Sequence, residues 1–151
     1  MITELTGKDL KSASKLLVDY WNSRGMSQYT NGYARKYLSQ GHAKEIKFDK
    51  FFVLKSATQD AVAVVSLIVY DGDVAEIRDF VVDKKYRGKG YGRKIVEELI
   101  EKAKKLKVRK LFSLASDKNT GFYKHLGFKK EGVLKDHFSK GEDLTIFSKF
   151  L

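Results

Sequence analysis

Three glycines set two residues apart, Gly88, Gly90 and Gly92, lie where a strand pattern gives way to a helix pattern. Glycine permits backbone conformations closed to other residues and lets a ligand approach the main chain. The first amides of a helix have no partner within it and point outward. Together with the helix dipole they form a ready anion site. Arg87, Lys89, Arg93 and Lys94 add positive charge, and Tyr91 sits among them. A pyrophosphate suits this arrangement. The plainer alternative is a glycine-rich turn with solvated lysines.

Two familiar phosphate loops do not fit. A P-loop needs Gly-x4-Gly-Lys-Ser/Thr, which is absent. A dinucleotide loop reads Gly-x-Gly-x-x-Gly, with an acid about 20 positions on. Here the spacing is Gly-x-Gly-x-Gly, and no acid follows Phe112 before Asp117.

With no cysteine in the chain, disulfides, thiolate-bound zinc and a catalytic thiol are excluded. His42, His125 and His137 lie far apart and match no metal-ligand spacing, so no metal is expected. The net charge of +11 is uneven: residues 76–151 carry 20 Lys and Arg against 11 Asp and Glu. Such an excess draws polyanions, whether a phosphate-rich cofactor, a nucleic acid or an acidic protein face. A lysine-coated surface explains it equally well. No signal-peptide pattern and no membrane-length apolar run is present, so a cytoplasmic protein is expected.

These features need a scaffold. The chain reads as one domain, residues 1–151, without linker or repeat. Ile2 to Leu5 reads as a strand. Thr6 and Asp9 then resemble a capping box opening a helix to about Asn22, with Leu10, Ala13, Leu16, Leu17 and Tyr20 at helical spacing. A second helix is expected from Asn31 to Ser39. Strands follow at Phe51–Ser56 and Val62–Tyr70, joined through Ala57-Thr58-Gln59-Asp60, and then at Val74–Val82 after the turn Asp71-Gly72-Asp73. Ile95, Val96, Leu99, Ile100, Ala103 and Leu106 mark the apolar face of a long helix, with Glu98–Lys102 and Glu101–Lys105 pairs on its exposed side. Leu111–Ala115 is a strand and Thr120–Leu126 a short helix closed by Gly127. Strands at Phe128–Leu134 and Leu144–Phe150 end the order. The fold class is α/β (α+β): a mixed, mainly antiparallel sheet of about seven strands, flanked by about four helices. The crossover helix makes the fourth and fifth strands parallel.

Arg87-x-x-Gly90-x-Gly92 resembles the Arg/Gln-x-x-Gly-x-Gly/Ala signature of the GNAT superfamily of N-acetyltransferases. Glu76-Ile77-Arg78-Asp79-Phe80-Val81-Val82 is similar to that family's fourth strand. Phe122-Tyr123-Lys124-His125-Leu126-Gly127-Phe128 is similar to its Phe/Leu-Tyr-x-x-x-Gly-Phe segment. The likeness covers about residues 62–151; residues 1–60 agree in element order alone.

The resemblance implies acetyl-CoA as co-substrate and an amine as acceptor. It implies that the fourth and fifth strands splay and hold the pantetheine arm, paired to the backbone of Phe80, Val81 and Val82. Amides from Gly88 to Arg93, including Lys89 and Tyr91, would hold the pyrophosphate. An amide near Val81 or Val82 would polarise the thioester carbonyl. Glu76 is the first choice for the base, since a histone-acetyltransferase branch of the family carries Ala-Glu-Ile there; Asp79 is the second. Tyr123 would protonate the leaving thiolate. Packing alone would explain Tyr123, and a lysine-paired strand carboxylate would explain Glu76. Many members place an asparagine seven residues before this tyrosine; here that position is Ser116, and Asn119 comes four before. The glutamate some members carry on the fifth strand has no counterpart between Lys110 and Ala115.

The acceptor is expected near the first two helices and the last strand pair. Tyr20, Trp21, Tyr29, Tyr33 and Tyr37 could wall its pocket, although aromatics at helical spacing usually pack as core. His137, in Lys135-Asp136-His137-Phe138, could relay a proton. A protein or peptide amine is the leading acceptor, and an amino sugar, polyamine or metabolite the second. A non-catalytic CoA- or nucleic-acid-binding module is the reading of a different class. No membrane partner is expected. Nucleic acid would be met only through the basic surface, and a homodimer is allowed.

Overall fold

The computed structural model describes residues 5–23, 25, 27–40, 45–57, 61–137 and 139–151. It divides into two compact units, Met1–Glu45 and Ile46–Leu151.

The first unit holds α1 (Leu10–Ser23) and α2 (Asn31–Gln40). At its start the Asp9 carboxylate accepts from the Thr6 amide at 2.8 Å and from the Thr6 hydroxyl at 2.6 Å. This is one half of a capping box, because the Asp9 amide donates to the Thr6 carbonyl and not to its hydroxyl. Leu16 and Tyr20 are exposed, contrary to the spacing argument. At about 100° per residue they lie well round from the stripe through Leu10, Leu17 and Trp21. Trp21 packs at 5.1 Å from Tyr29, 6.0 Å from Tyr33 and 5.8 Å from Tyr37, so these four rings form one cluster.

The second unit is a six-stranded sheet in the order β1-β2-β3-β4-β6-β5. Its strands are β1 (Ile46–Lys55), β2 (Ala61–Tyr70), β3 (Val74–Val82), β4 (Lys110–Ala115), β5 (Lys129–Leu134) and β6 (Leu144–Phe150). Helix α3 (Tyr91–Lys105) joins β3 to β4, and α4 (Thr120–His125) follows β4. The expected seventh strand falls at residues 2–5, of which 2–4 lie outside the described set, as do His42, Phe138 and most of the β1–β2 connection. The expected mixed fold is present. Adjacent strands pair antiparallel except β3 and β4, which run parallel across the α3 crossover.

One core lies between this sheet and α3 and α4. Ile95, Val96, Leu99, Ile100 and Ala103 of α3 pack against Val65, Leu67, Ala75, Ile77 and Leu111. Burial of one such leucine stabilises by roughly 1.5–3 kcal/mol. Leu106, expected on the same face, caps the helix and is exposed. The exposed ion pairs also differ from expectation: Glu101 binds Lys104 at 2.7 Å and Arg93 binds Glu97 at 2.8 Å. Lys102 lies over the rings of Phe48 and Phe52, its long stem covering apolar surface. Gly127 closes α4 with φ +81°: its amide donates to Lys124 and that of Phe128 to Tyr123, which completes a Schellman end.

Candidate active site

The sheet splits at its parallel pair. Register between β3 and β4 runs only through Val74–Lys110, Ala75–Leu111 and Glu76–Phe112. Beyond Glu76, β3 stays on β2 while β4 stays on β6. The separation leaves one edge of β3 bare. A cavity of about 870 Å³ fills the gap, bounded by β3 from Glu76 to Val82, the glycine loop, the end of β4, and Phe122 and Tyr123.

A bulge sharpens the split. Opposite β2 the register jumps between Val64–Val81 and Ser66–Arg78, and Asp79 takes φ +51°. An extra residue of this kind bends the strand and re-aims the side chains beyond it. The Ser66 hydroxyl is within reach of the Arg78 carbonyl (3.1 Å) and the Asp79 carboxylate (3.3 Å) and fixes the kink. Before the bulge, alternation puts Ala75 and Ile77 on the α3 face and Glu76 and Arg78 on the other. After it, Phe80 and Val82 face α3, and Phe80 stacks on Phe122 at 5.6 Å.

Among the described residues, no backbone amide from Gly88 to Arg93 donates to another backbone group; the α3 ladder begins with Lys94 on Gly90. The glycines serve different ends. Gly88 (φ +73°) and Gly90 (φ +83°) make left-handed turns in open space. Gly92 is already inside the helix, and a Cβ there would lie 3.3 Å from Phe80 Cζ and 3.5 Å from Phe122 and Val82. Its bareness lets the helix start abut the strand end. Tyr86 and Tyr91 meet edge to face at 5.7 Å and brace the loop from both sides.

The basic residues are less free than the sequence suggests. Arg87 Nε donates to the Val82 carbonyl at 3.0 Å, tying loop to strand. Arg93 is paired with Glu97. Lys89 lies over the Tyr86 ring and, alone of the expected loop residues, does not line the cavity. Ser116 and Asn119 line its far wall, where Ser116 also caps the 3-10 turn Asp117–Asn119.

Glu76 is 5% exposed and lines the cavity. The Tyr70 hydroxyl donates to Glu76 Oε2 at 2.7 Å, and Arg78 Nε lies 3.5 Å from Oε1. Burial, and then the Glu76 carboxylate, push the Tyr70 phenol up to about 12, so it stays a donor. The plain alternative of a solvated carboxylate paired to a lysine does not describe Glu76, because its partners are a tyrosine and an arginine. Asp79 is exposed and held by Ser66.

Tyr123 is 2% exposed, stacked on Phe147 at 4.6 Å, with its phenol raised above the ordinary value by burial. Its hydroxyl lies 2.8 Å from Ser113 Oγ. Ser113 has one proton, which it donates to the Ile77 carbonyl at 3.0 Å, so Tyr123 is the donor in the pair. Sequence reasoning missed Ser113, Tyr70 and Ser66. The one signal for Ser113 was a hydroxyl in the middle of an apolar strand, at a core-facing position.

The description "Acetyltransferase (GNAT) family" belongs to the family model that matches residues 14–128. An uncharacterised N-acetyltransferase of Methanocaldococcus jannaschii is 39% identical over 66 residues, which cover 42% of this chain and 29% of that protein. One from Chlorobaculum tepidum is 27% identical over 119 residues, 78% of this chain and 74% of its own length. The solved acetyltransferase of Bacillus cereus superposes with a TM-score of 0.64 at 22% identity, over 100% of this chain and 97% of that one. An aminoglycoside 6'-N-acetyltransferase complexed with coenzyme A gives 0.62 at 15% identity, over 99% and 97%. With the family model spanning most of the sequence, the chain belongs to the GNAT family of acetyltransferases.

Proposed function

We propose that the chain moves an acetyl group from acetyl-CoA directly to a primary amine, with no covalent enzyme intermediate. One observation carries this reading: a single cavity connects five residues with unspent backbone amides to a buried glutamate and a buried tyrosine. Coenzyme A fits the residues present. The unspent amides and the dipole of α3 suit a pyrophosphate, and the bare edge of β3 suits the amide-bearing pantetheine arm. Gly88, Gly90, Tyr91, Gly92 and Arg93 would hold the former, and Phe80, Val81 and Val82 the latter, with Ser116 and Asn119 opposite. Bound acetyl-CoA supplies the acetyl group as an activated thioester.

The chain's own residues would move the protons. Glu76, fixed by Tyr70 and Arg78, accepts a proton from the incoming ammonium; Asp79 is the second candidate. The Tyr123 phenol stays protonated at neutral pH, so it suits an acid and not a base. To donate into the cavity it must turn its proton away from Ser113. Successive amides of a strand point to opposite edges, so one amide near Val81 would be directed at the unpaired edge of β3, where it suits a developing oxyanion.

Protein and peptide amines are the leading acceptors. Small amines are the second reading, favoured by the fold shared with an aminoglycoside enzyme. We place both units in one domain, since the family match begins at residue 14, and we place the reaction in the cytoplasm, where acetyl-CoA is made and used. No helix among the described residues is long and apolar enough to cross a membrane.

The test is acetyl-CoA turnover with a panel of peptides, polyamines and aminoglycosides. Glu76→Gln should lower kcat by about 100-fold or more and leave acetyl-CoA affinity unchanged. Turnover unaltered across the pH range would remove Glu76 as base. Tyr123→Phe should lower kcat more than affinity, whereas equal losses would mark Tyr123 as a packing residue.

A further inference from the structure

Three arginines line the cavity, and two are accounted for at its phosphate end: Arg87 on the Val82 carbonyl and Arg93 on Glu97. Arg78 stands apart. It lies on the sheet face opposite α3, two residues from Glu76, with half of its side chain exposed. Its Nε is 3.5 Å from Glu76 Oε1, and no other carboxylate pairs with it among the described residues. The acids beside it are already engaged, Glu76 by Tyr70 and Asp79 by Ser66.

This places a fixed, half-solvated guanidinium next to the carboxylate that the incoming amine must approach. A polycation moving toward Glu76 would meet Arg78 at the same moment, and of the two carboxylates that line this end of the cavity Glu76 is already paired with Arg78, which leaves Asp79 alone to offset the repulsion. An acceptor with a carboxylate beside its amine meets the opposite situation. The amine can face Glu76 while the carboxylate takes the planar fork of Arg78, a geometry that guanidinium recognises in two parallel hydrogen bonds.

We propose that Arg78 selects acceptors that carry a carboxylate next to the reacting amine, as free amino acids and peptides with an acidic first residue do. This rests on the acetyltransferase reading of the cavity.

The experiment compares matched pairs in the wild type, Arg78→Gln and Arg78→Lys. Alanine is set against alaninamide, and a peptide beginning in aspartate against one beginning in asparagine, with spermidine as polycation. The readout is the ratio of kcat/KM within each pair. Comparing that ratio between variants cancels both the intrinsic difference between the amines and any general damage to Glu76. The wild type should favour the carboxylate member, and Arg78→Gln should cut that preference about tenfold. Arg78→Lys should keep part of it, since the charge remains and the fork is lost. The first pair carrying the effect identifies free amino acids, and the second identifies peptides. A ratio unchanged by Arg78→Gln, or spermidine acetylated as well as the carboxylated amines, overturns the proposal. Should no amine be acetylated, calorimetric binding of the same pairs to the CoA-loaded chain still reads the preference. Preference without turnover would uphold the selectivity and defeat the enzyme reading; equal binding would defeat the selectivity itself.

Discussion

Two strand-to-helix junctions face each other across the cavity and are built from the same parts. After β3, Asp83 caps the 3-10 turn Lys84–Tyr86 and α3 begins at Tyr91; after β4, Ser116 caps the turn Asp117–Asn119 and α4 begins at Thr120. They differ in what their polar groups do. At the first, amides 88–93 are unspent and two glycines take left-handed turns. At the second, one aspartate gathers the donors: the Asp117 carboxylate accepts from Lys130 at 2.7 Å and from buried Thr145 at 3.0 Å, and its carbonyl accepts from the Thr120 hydroxyl at 2.7 Å. The first helix start turns its amides to the cavity, whereas the second is tied to β5 and β6 through the Asp117 side chain.

Substitutions on the two sides should separate accordingly. The largest effect is expected at Gly92→Val, whose Cβ would press on Phe80 and Phe122. Acetyl-CoA affinity, measured by calorimetry, should fall by roughly 100-fold (about 2.7 kcal/mol), with the melting temperature changed much less. Asp117→Ala should do the reverse, lowering the melting temperature by several degrees (about 2–4 °C per kcal/mol lost) while affinity stays within about twofold. Equal losses in both properties at either position would erase the distinction.

Acid sharpens the second case. Bonding to Lys130, and then to Thr145, holds the folded Asp117 carboxyl below its ordinary 3.8. A depressed carboxyl contributes stability above its unfolded value and loses it as pH falls through the folded one. The gap in melting temperature between wild type and Asp117→Asn should therefore be full at neutral pH and close only below about pH 4. A gap that widens in acid would contradict the assignment. The smallest effect is expected at Gly88→Ala. Open space surrounds it, so the left-handed backbone alone is strained, by roughly 1 kcal/mol, and affinity should fall less than about tenfold.

The same contrast explains what could be read in advance. β3 and β6 run from Val74 to Val82 and from Leu144 to Phe150 as the sequence pattern predicts, because turn residues punctuate both. Gly127 announced the end of α4. β1 begins at Ile46, five residues earlier than expected, because Lys47, Asp49 and Lys50 hide a strand lying at the sheet's edge. The glycine loop was legible as an anion site, but Gly92 was not legible as a packing residue, since its neighbours come from β3 and α4. Tyr70 on Glu76 and Ser113 on Tyr123 are set by strand register and helix docking, which local periodicity does not encode. The bulge at Asp79 depends on cross-strand register and on Ser66 of β2, which local periodicity does not encode either.

The short β3–β4 seam has a consequence for how the protein is made. Three register pairs join two antiparallel groups, β1-β2-β3 and β4-β6-β5. The pairs β1-β2-β3 and β5-β6 join strands that follow one another in the chain, whereas the β4–β6 pairing and the seam both bring together residues about 30–40 positions apart and must wait for the helices between them to dock. The cleft between the groups is thus expected to arise last in folding, so that a chain able to bind its co-substrate is one whose assembly has finished.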